Sequence, residues 1–313
     1  MSTPPSRRLA ASITGASLAA LLAGCGGSSD SADGTSAAQS PAAASAISVV
    51  ASTNVYGDIV GRIGGTKVDV TSIISDPDQD PHSYEANTQN QLALSKAKVV
   101  VENGGGYDDF VDRMLKSGNS SAEVVDAVKV SGRTAPKGGE LNEHVWYDFR
   151  AVAKIADSIA AALGKADPDD AATFTANAET FKARLQPLEA KEARIKKEHA
   201  GEAVAITEPV PLYMIKASGL RNATPEEFSE AIEEGSDVSP KVLQAALALF
   251  SGKKVEALVY NEQTSGPQTE KAEAAAKAAG IPVVPVTETL PSGKDYLGWM
   301  TSNVDALAGA LDT

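Results

Sequence analysis

The chain reads as an α/β protein of two lobes, each with a parallel sheet flanked by helices, joined by one long rigid helix. Three observations predict it. Short β-branched apolar runs alternate with longer helical stretches over residues 47–165, and the same alternation returns over 201–313. A single helical stripe fills 166–200 between them. The length, 313 residues, suits about two domains of roughly 150 residues each.

The first segment belongs to neither lobe. Arg7 and Arg8 precede a small-apolar stretch from about Leu9 to Ala23 that ends in Leu22-Ala23-Gly24-Cys25. A run of roughly 15 residues is too short for a bilayer span, which needs about 20, but it fits a secretory leader over residues 1–24. Leu-Ala-Gly-Cys resembles a bacterial lipobox, which implies a lipid anchor on Cys25, the only cysteine. With no second cysteine, the fold cannot be held by disulfides. Residues 25–46 are mostly Gly, Ser, Ala and Asp with almost no large apolar residue, so burial cannot offset the entropy of ordering them. A flexible tether is expected there, holding a soluble body outside the cytoplasm.

In the first lobe, Ile47–Ala51, Val68–Ile74, Val99–Glu102 and Val124–Val128 read as buried strands by length and β-branching. Helices are expected near Tyr56–Ile63, Gln89–Lys96 and Tyr107–Leu115. Asp148 is a plausible N-cap for a helix carrying Phe149, Val152, Ile155, Ile159 and Leu163. Short connections between strand and helix point to a parallel sheet covered on both faces. In the linking helix, Phe174, Ala178, Phe181, Leu185, Leu188 and Ile195 form one apolar stripe. At 1.5 Å per residue it reaches about 45 Å, with Pro187 a point of kinking. A coiled-coil dimer is the competing account of the stripe, but packing on the two lobes buries it equally well, and a monomer is expected. The second lobe repeats the pattern with strands at Ala203–Thr207, Val255–Tyr260 and Val283–Thr287. Its helices are expected at Pro240–Phe250, Gln268–Ala279 and Asp295–Leu311.

Composition narrows the function. A hydrophobic fraction of 42% is an ordinary globular balance, and a net charge of −13 gives a nucleic-acid backbone no basic face to meet. Of three histidines, His82 follows the second strand in Asp76-Pro-Asp-Gln-Asp-Pro-His82-Ser-Tyr-Glu85. His144 lies in Asn142-Glu-His144-Val-Trp-Tyr-Asp148, just before a helix. Both stand where α/β lobes place ligands, at strand ends, though each alone also reads as an ordinary loop histidine. His199 reads as a solvated cation near a helix C-terminus. Asp76, Asp78 and Asp80 fail as a calcium loop, because Pro81 and Asn87 stand where glycine and glutamate are needed.

Asp80-Pro-His82-Ser-Tyr-Glu85, Asn142-Glu-His144-Val-Trp and Thr207-Glu208-Pro209 resemble, in order and separation, three signatures of one family. It is the zinc/manganese family of solute-binding proteins that serve bacterial ABC transporters, and the resemblance runs from about Ile47 to the C-terminus. It implies a four-ligand metal site between lobes, with His82 and His144 from the first. Glu208 and Glu288 would come from the second. Many relatives have aspartate at the last position, and Glu262, also ending a strand, is the rival to Glu288. It further implies one divalent metal as transported ligand, a membrane permease as partner, lobe closure limited by the stiff helix, and no catalytic residues.

Two neutral imidazoles and two carboxylates neutralise a divalent ion, whereas without one the carboxylates repel. Carboxylate oxygens favour harder ions. Zinc-dedicated relatives often carry a third histidine where Glu208 stands and a His-rich loop, and no histidine lies between Gly106 and Glu143. Manganese is therefore favoured, with zinc the alternative. A zinc hydrolase lacks support, since no His-Glu-x-x-His helix or Gly-x-Ser-x-Gly turn is present. A surface adhesin is compatible with the tether, but nothing specifies its partner.

Overall fold

The computed structural model describes residues 46–76, 84–85, 87–118 and 120–313. The expected leader, the expected tether up to residue 45 with Cys25, and the segment carrying His82 lie outside them. Four parallel strands, β1 (Ile47–Thr53), β2 (Val68–Ile74), β3 (Val99–Glu102) and β4 (Glu123–Asp126), form a sheet in the order β2-β1-β3-β4. A second sheet of β5 (Ala203–Ile206), β6 (Arg221–Asn222), β7 (Ala257–Asn261) and β8 (Val283–Val286) repeats it as β6-β5-β7-β8, again all parallel. The order reverses direction at β1/β3 and at β5/β7, and the crevice beyond the strand C-termini at such a point is where these folds hold ligands.

Helices supply the crossovers that parallel strands require. The first half uses α1 (Asn54–Gly64), α2 (Thr88–Lys96), α3 (Asp109–Ser117), α4 (Ala127–Ser131) and α5 (Phe149–Ala166). After the long α6 (Ala171–His199) come α7 (Leu212–Ala217), α8 (Glu226–Glu233), α9 (Pro240–Ser251), α10 (Pro267–Ala279) and α11 (Tyr296–Leu311). Asp148 caps α5 as expected, accepting from the amides of Arg150 and Ala151. The strand expected at 124–128 stops at Asp126. The Asp126 side chain accepts from the amide of Lys129, starting the turn of α4, which ends on Gly132 at φ +74°.

Successive residues of each strand face opposite sides, and both sides are covered. On the outer face of the first sheet, Val50 and Val100 pack with Leu94 of α2 and Phe110 of α3. On the outer face of the second, Ala205 and Leu258 pack with Phe228, Phe250 and Ala272. The inner faces merge. Val49 and Val99 of the first half belong to the same buried cluster as Val204, Val259 and Trp299 of the second. All six apolar stripe residues of α6 sit in that shared cluster. The 29-residue helix runs through Pro187, about 44 Å at the standard rise, and packs on α1, α5, α7 and α11. Polar bonds cross the same boundary: Asn54 exchanges hydrogen bonds with the backbone of Leu290, and the hydroxyls of Tyr147 and Tyr296 donate to Thr287 and Trp146 carbonyls. A joined apolar core opposes wide hinge opening, because opening would expose it to water.

One residue of the stripe is polar. Glu192 is buried, its Oε1 has no partner among the described residues, and burial, with Asp148 and Glu189 nearby, pushes its carboxyl up to about 8. The fold thus favours the neutral acid. Its contribution is complete below pH about 4.5 and is lost as pH rises through about 8, on the order of 5 kcal/mol. Glu192→Gln removes that titration, so denaturant midpoints at pH 5 and pH 9 should lie closer together in the variant than in the parent chain. An identical pH dependence in the two would contradict this assignment.

Candidate metal centre

The site forms where strand ends of the second half meet the 142–148 segment of the first. β5 gives way to Thr207, whose hydroxyl accepts from the amide of Asn261 at the end of β7 (2.9 Å). The side-chain amide of Asn261 then donates to two carboxylates, Glu208 Oε2 at 2.5 Å and Glu288 Oε1 at 2.8 Å. Gln263 Oε1 accepts from the amides of Glu288 (2.5 Å) and Thr289 (3.1 Å) and so fixes the turn after β8. Glu208, Asn261 and Glu288 are all buried.

From the first half, His144 enters fully buried, its ring edge-on to Trp146 and Tyr107. Asn142 Oδ1 lies 2.8 Å from His144 Nδ1 and also accepts from the His144 amide at 2.9 Å, while its NH2 donates to Pro209 O. That last bond orients the Asn142 amide, so its oxygen faces Nδ1–H and the Nε2 lone pair of the neutral ring is directed into the cleft. His144 Nε2 stands 3.7 Å from Glu288 Oε2 and 3.6 Å from Glu233 Oε1. Glu143, His144 and Glu233 each offer a donor atom, all within 4.8 Å of one another.

The electrostatics are those of crowded carboxylates. Burial and the neighbouring charge of Glu288 push Glu208 up to about 8, against the bonds from Asn261 and Thr264. Burial works against a charged His144, but Glu288, Glu143 and Glu233 outweigh it and raise the ring to about 9. Near neutral pH these shifts favour a proton at the centre when no cation is there. Imidazole nitrogen with several carboxylate oxygens is a donor set suited to divalent transition ions.

The structure brings together His144, Glu208 and Glu288 of the four expected ligands; His82 lies outside the described residues. Glu262, the rival to Glu288, is exposed, although its amide bonds Val286 O. His199 is mostly covered rather than solvated, with Glu202 and Asp312 against its two ring nitrogens. Glu233 is absent from the sequence reading. It sits in the acidic run Glu226–Glu234, which looks like a solvated helix face, and only the tertiary fold turns it inward. Asn261 had a signal, its place at a strand end, but amides are common there.

A family model described as the periplasmic component A of the zinc-uptake complex (ZnuA) matches residues 49–310. The manganese ABC transporter substrate-binding lipoprotein scaA of Streptococcus gordonii is 26% identical over 311 residues, covering 93% of this chain and 94% of its own. The iron ABC transporter substrate-binding lipoprotein MtsA of Streptococcus pyogenes serotype M1 is 25% identical over 297 residues, covering 85% and 89% respectively. Among solved structures, the periplasmic zinc binding protein TroA of Treponema pallidum superposes with a TM-score of 0.71 at 21% identity, over 84% of this chain and 98% of its own. That likeness is one of fold.

Proposed function

The chain belongs to the ZnuA family, solute-binding components of metal ABC transporters rather than enzymes, and we propose that it captures manganese in preference to zinc. The ion sits between the two halves, held by His82, His144, Glu208 and Glu288, and is handed to a membrane permease for import. The observation that carries this reading is the buried convergence of His144 with Glu208 and Glu288, from opposite halves, at the C-terminal ends of two parallel sheets. Manganese is favoured because the two carboxylates bring hard oxygen donors to the set, and no third imidazole stands where Glu208 does. Sequence relatives are named for manganese and iron, and a neighbour in fold for zinc.

Three parts of the chain divide the work in this reading. The strand-end carboxylates neutralise the ion, Asn261 and Gln263 keep them aimed, and Asn142 holds the His144 ring in the ligating tautomer. The shared core keeps closure small, so loop movement rather than a wide hinge admits the ion. Competition between manganese and zinc, read in Glu288→Gln and Glu262→Gln, tests the ligand set. Glu288→Gln should weaken both ions by more than the roughly 10–100-fold typical of losing a group that merely supports a ligand, and Glu262→Gln should leave both unchanged. The reverse pattern would make Glu262 the ligand.

Lipidated Cys25 is proposed as the tie to the membrane, with the chain outside the cytoplasm and monomeric. Among the described residues no helix is long and apolar enough to cross a bilayer. Cys25→Ser should move the protein from the detergent phase to the aqueous phase; unchanged partitioning would place the anchor elsewhere.

A further inference from the structure

We propose that Glu233 is itself a ligand of the captured ion and the residue that tilts the centre toward hard divalent ions, an inference that rests on the reading above. Glu233 occupies the last turn of α8, an element outside both sheets. Phe228 and Ile232 of the same helix are buried in the outer core of the second half, in one cluster with Val238 and Phe250. Gly235, at φ +63°, turns the chain away directly afterwards. The helix is thereby seated with its C-terminal carboxylate over the cleft.

The spacing suits donors gathered around one ion. His144 Nε2 is 3.6 Å from Glu233 Oε1 and 3.7 Å from Glu288 Oε2. Donors about 2.1–2.2 Å from one shared ion in tetrahedral array stand roughly 3.5 Å apart. His144 Nε2 keeps close to that spacing from two carboxylates on different elements. Glu143, in the same 4.8 Å group, can add a further oxygen. Zinc is content with four donors, so a further carboxylate adds little for it, whereas manganese takes oxygen donors in larger number.

The test measures manganese and zinc affinities of the full chain by competition, with the number of bound waters on manganese from proton relaxation. Glu233→Gln keeps shape and removes charge; Glu233→Asp keeps charge but withdraws the oxygens by one methylene. Both should lose at least about tenfold in manganese affinity, lose less for zinc, and gain bound water on manganese. Wild-type affinity and hydration in the Asp variant would mean that Glu233 acts only through its charge, and equal losses for both metals would overturn its role in selectivity. Unchanged values in both variants, with His144→Ala inactive, would sink this inference alone. Metal retained at full affinity by His144→Ala would instead sink the underlying site. The metal-free thermal midpoint checks that each variant folds.

Discussion

His144→Ala is expected to lower affinity for manganese and zinc by about a thousandfold or more, roughly 4 kcal/mol. In the proposed set the ring is the imidazole that faces the second half across the cleft, 3.7 Å from Glu288 Oε2, and its removal takes that nitrogen from the centre. Water filling the vacated space cannot replace a ring held on Nδ1 by Asn142. His199→Ala is the control, because that ring is bonded to Glu202 and Asp312 at the end of α6. Isothermal titration of both variants checks the expectation. Full binding by His144→Ala, or loss in His199→Ala, would contradict it.

Metal affinity is also expected to rise steeply with pH. In the metal-free protein His144 titrates at about 9 and Glu208 at about 8, both raised, so both are protonated at neutral pH. A bound ion needs both bare. Below pH 8 each displaced proton costs a factor of ten per pH unit, so affinity should climb by about two decades per unit between pH 6 and 8. Above 8 only His144 still competes and the slope should fall toward one. Titrations in buffers of different ionisation enthalpy count the same protons. Zero protons released at pH 7 would mean that the centre is already ionised without metal.

Much of the fold is legible in the sequence because its strands are short β-branched runs and its helices keep strict apolar spacing. Phe174 through Ile195 announce α6, and Asp148 announces the start of α5. The two-residue β6 at Arg221–Asn222 has no apolar signature, and α7 and α8 are too short for periodicity to show. The site divides on the same lines. His144, Glu208 and Glu288 stand beside recognisable motifs or strand ends, where the fold class itself puts ligands. Glu233 reaches the cleft only because Phe228 and Ile232 seat α8 in the outer core, a tertiary fact that no local pattern records. Nor does the sequence reveal that both halves share one core, since each strand's alternation says that a face is buried but not against what.

Anomalous diffraction at the manganese edge, from crystals of the full chain grown with manganese, tests most directly whether one ion is held between the halves. The expected result is a single peak within coordination distance of His144 Nε2, Glu208 and Glu288, with Glu262 in solvent. A peak touching residues of only one half, or one beside Glu262, would contradict it.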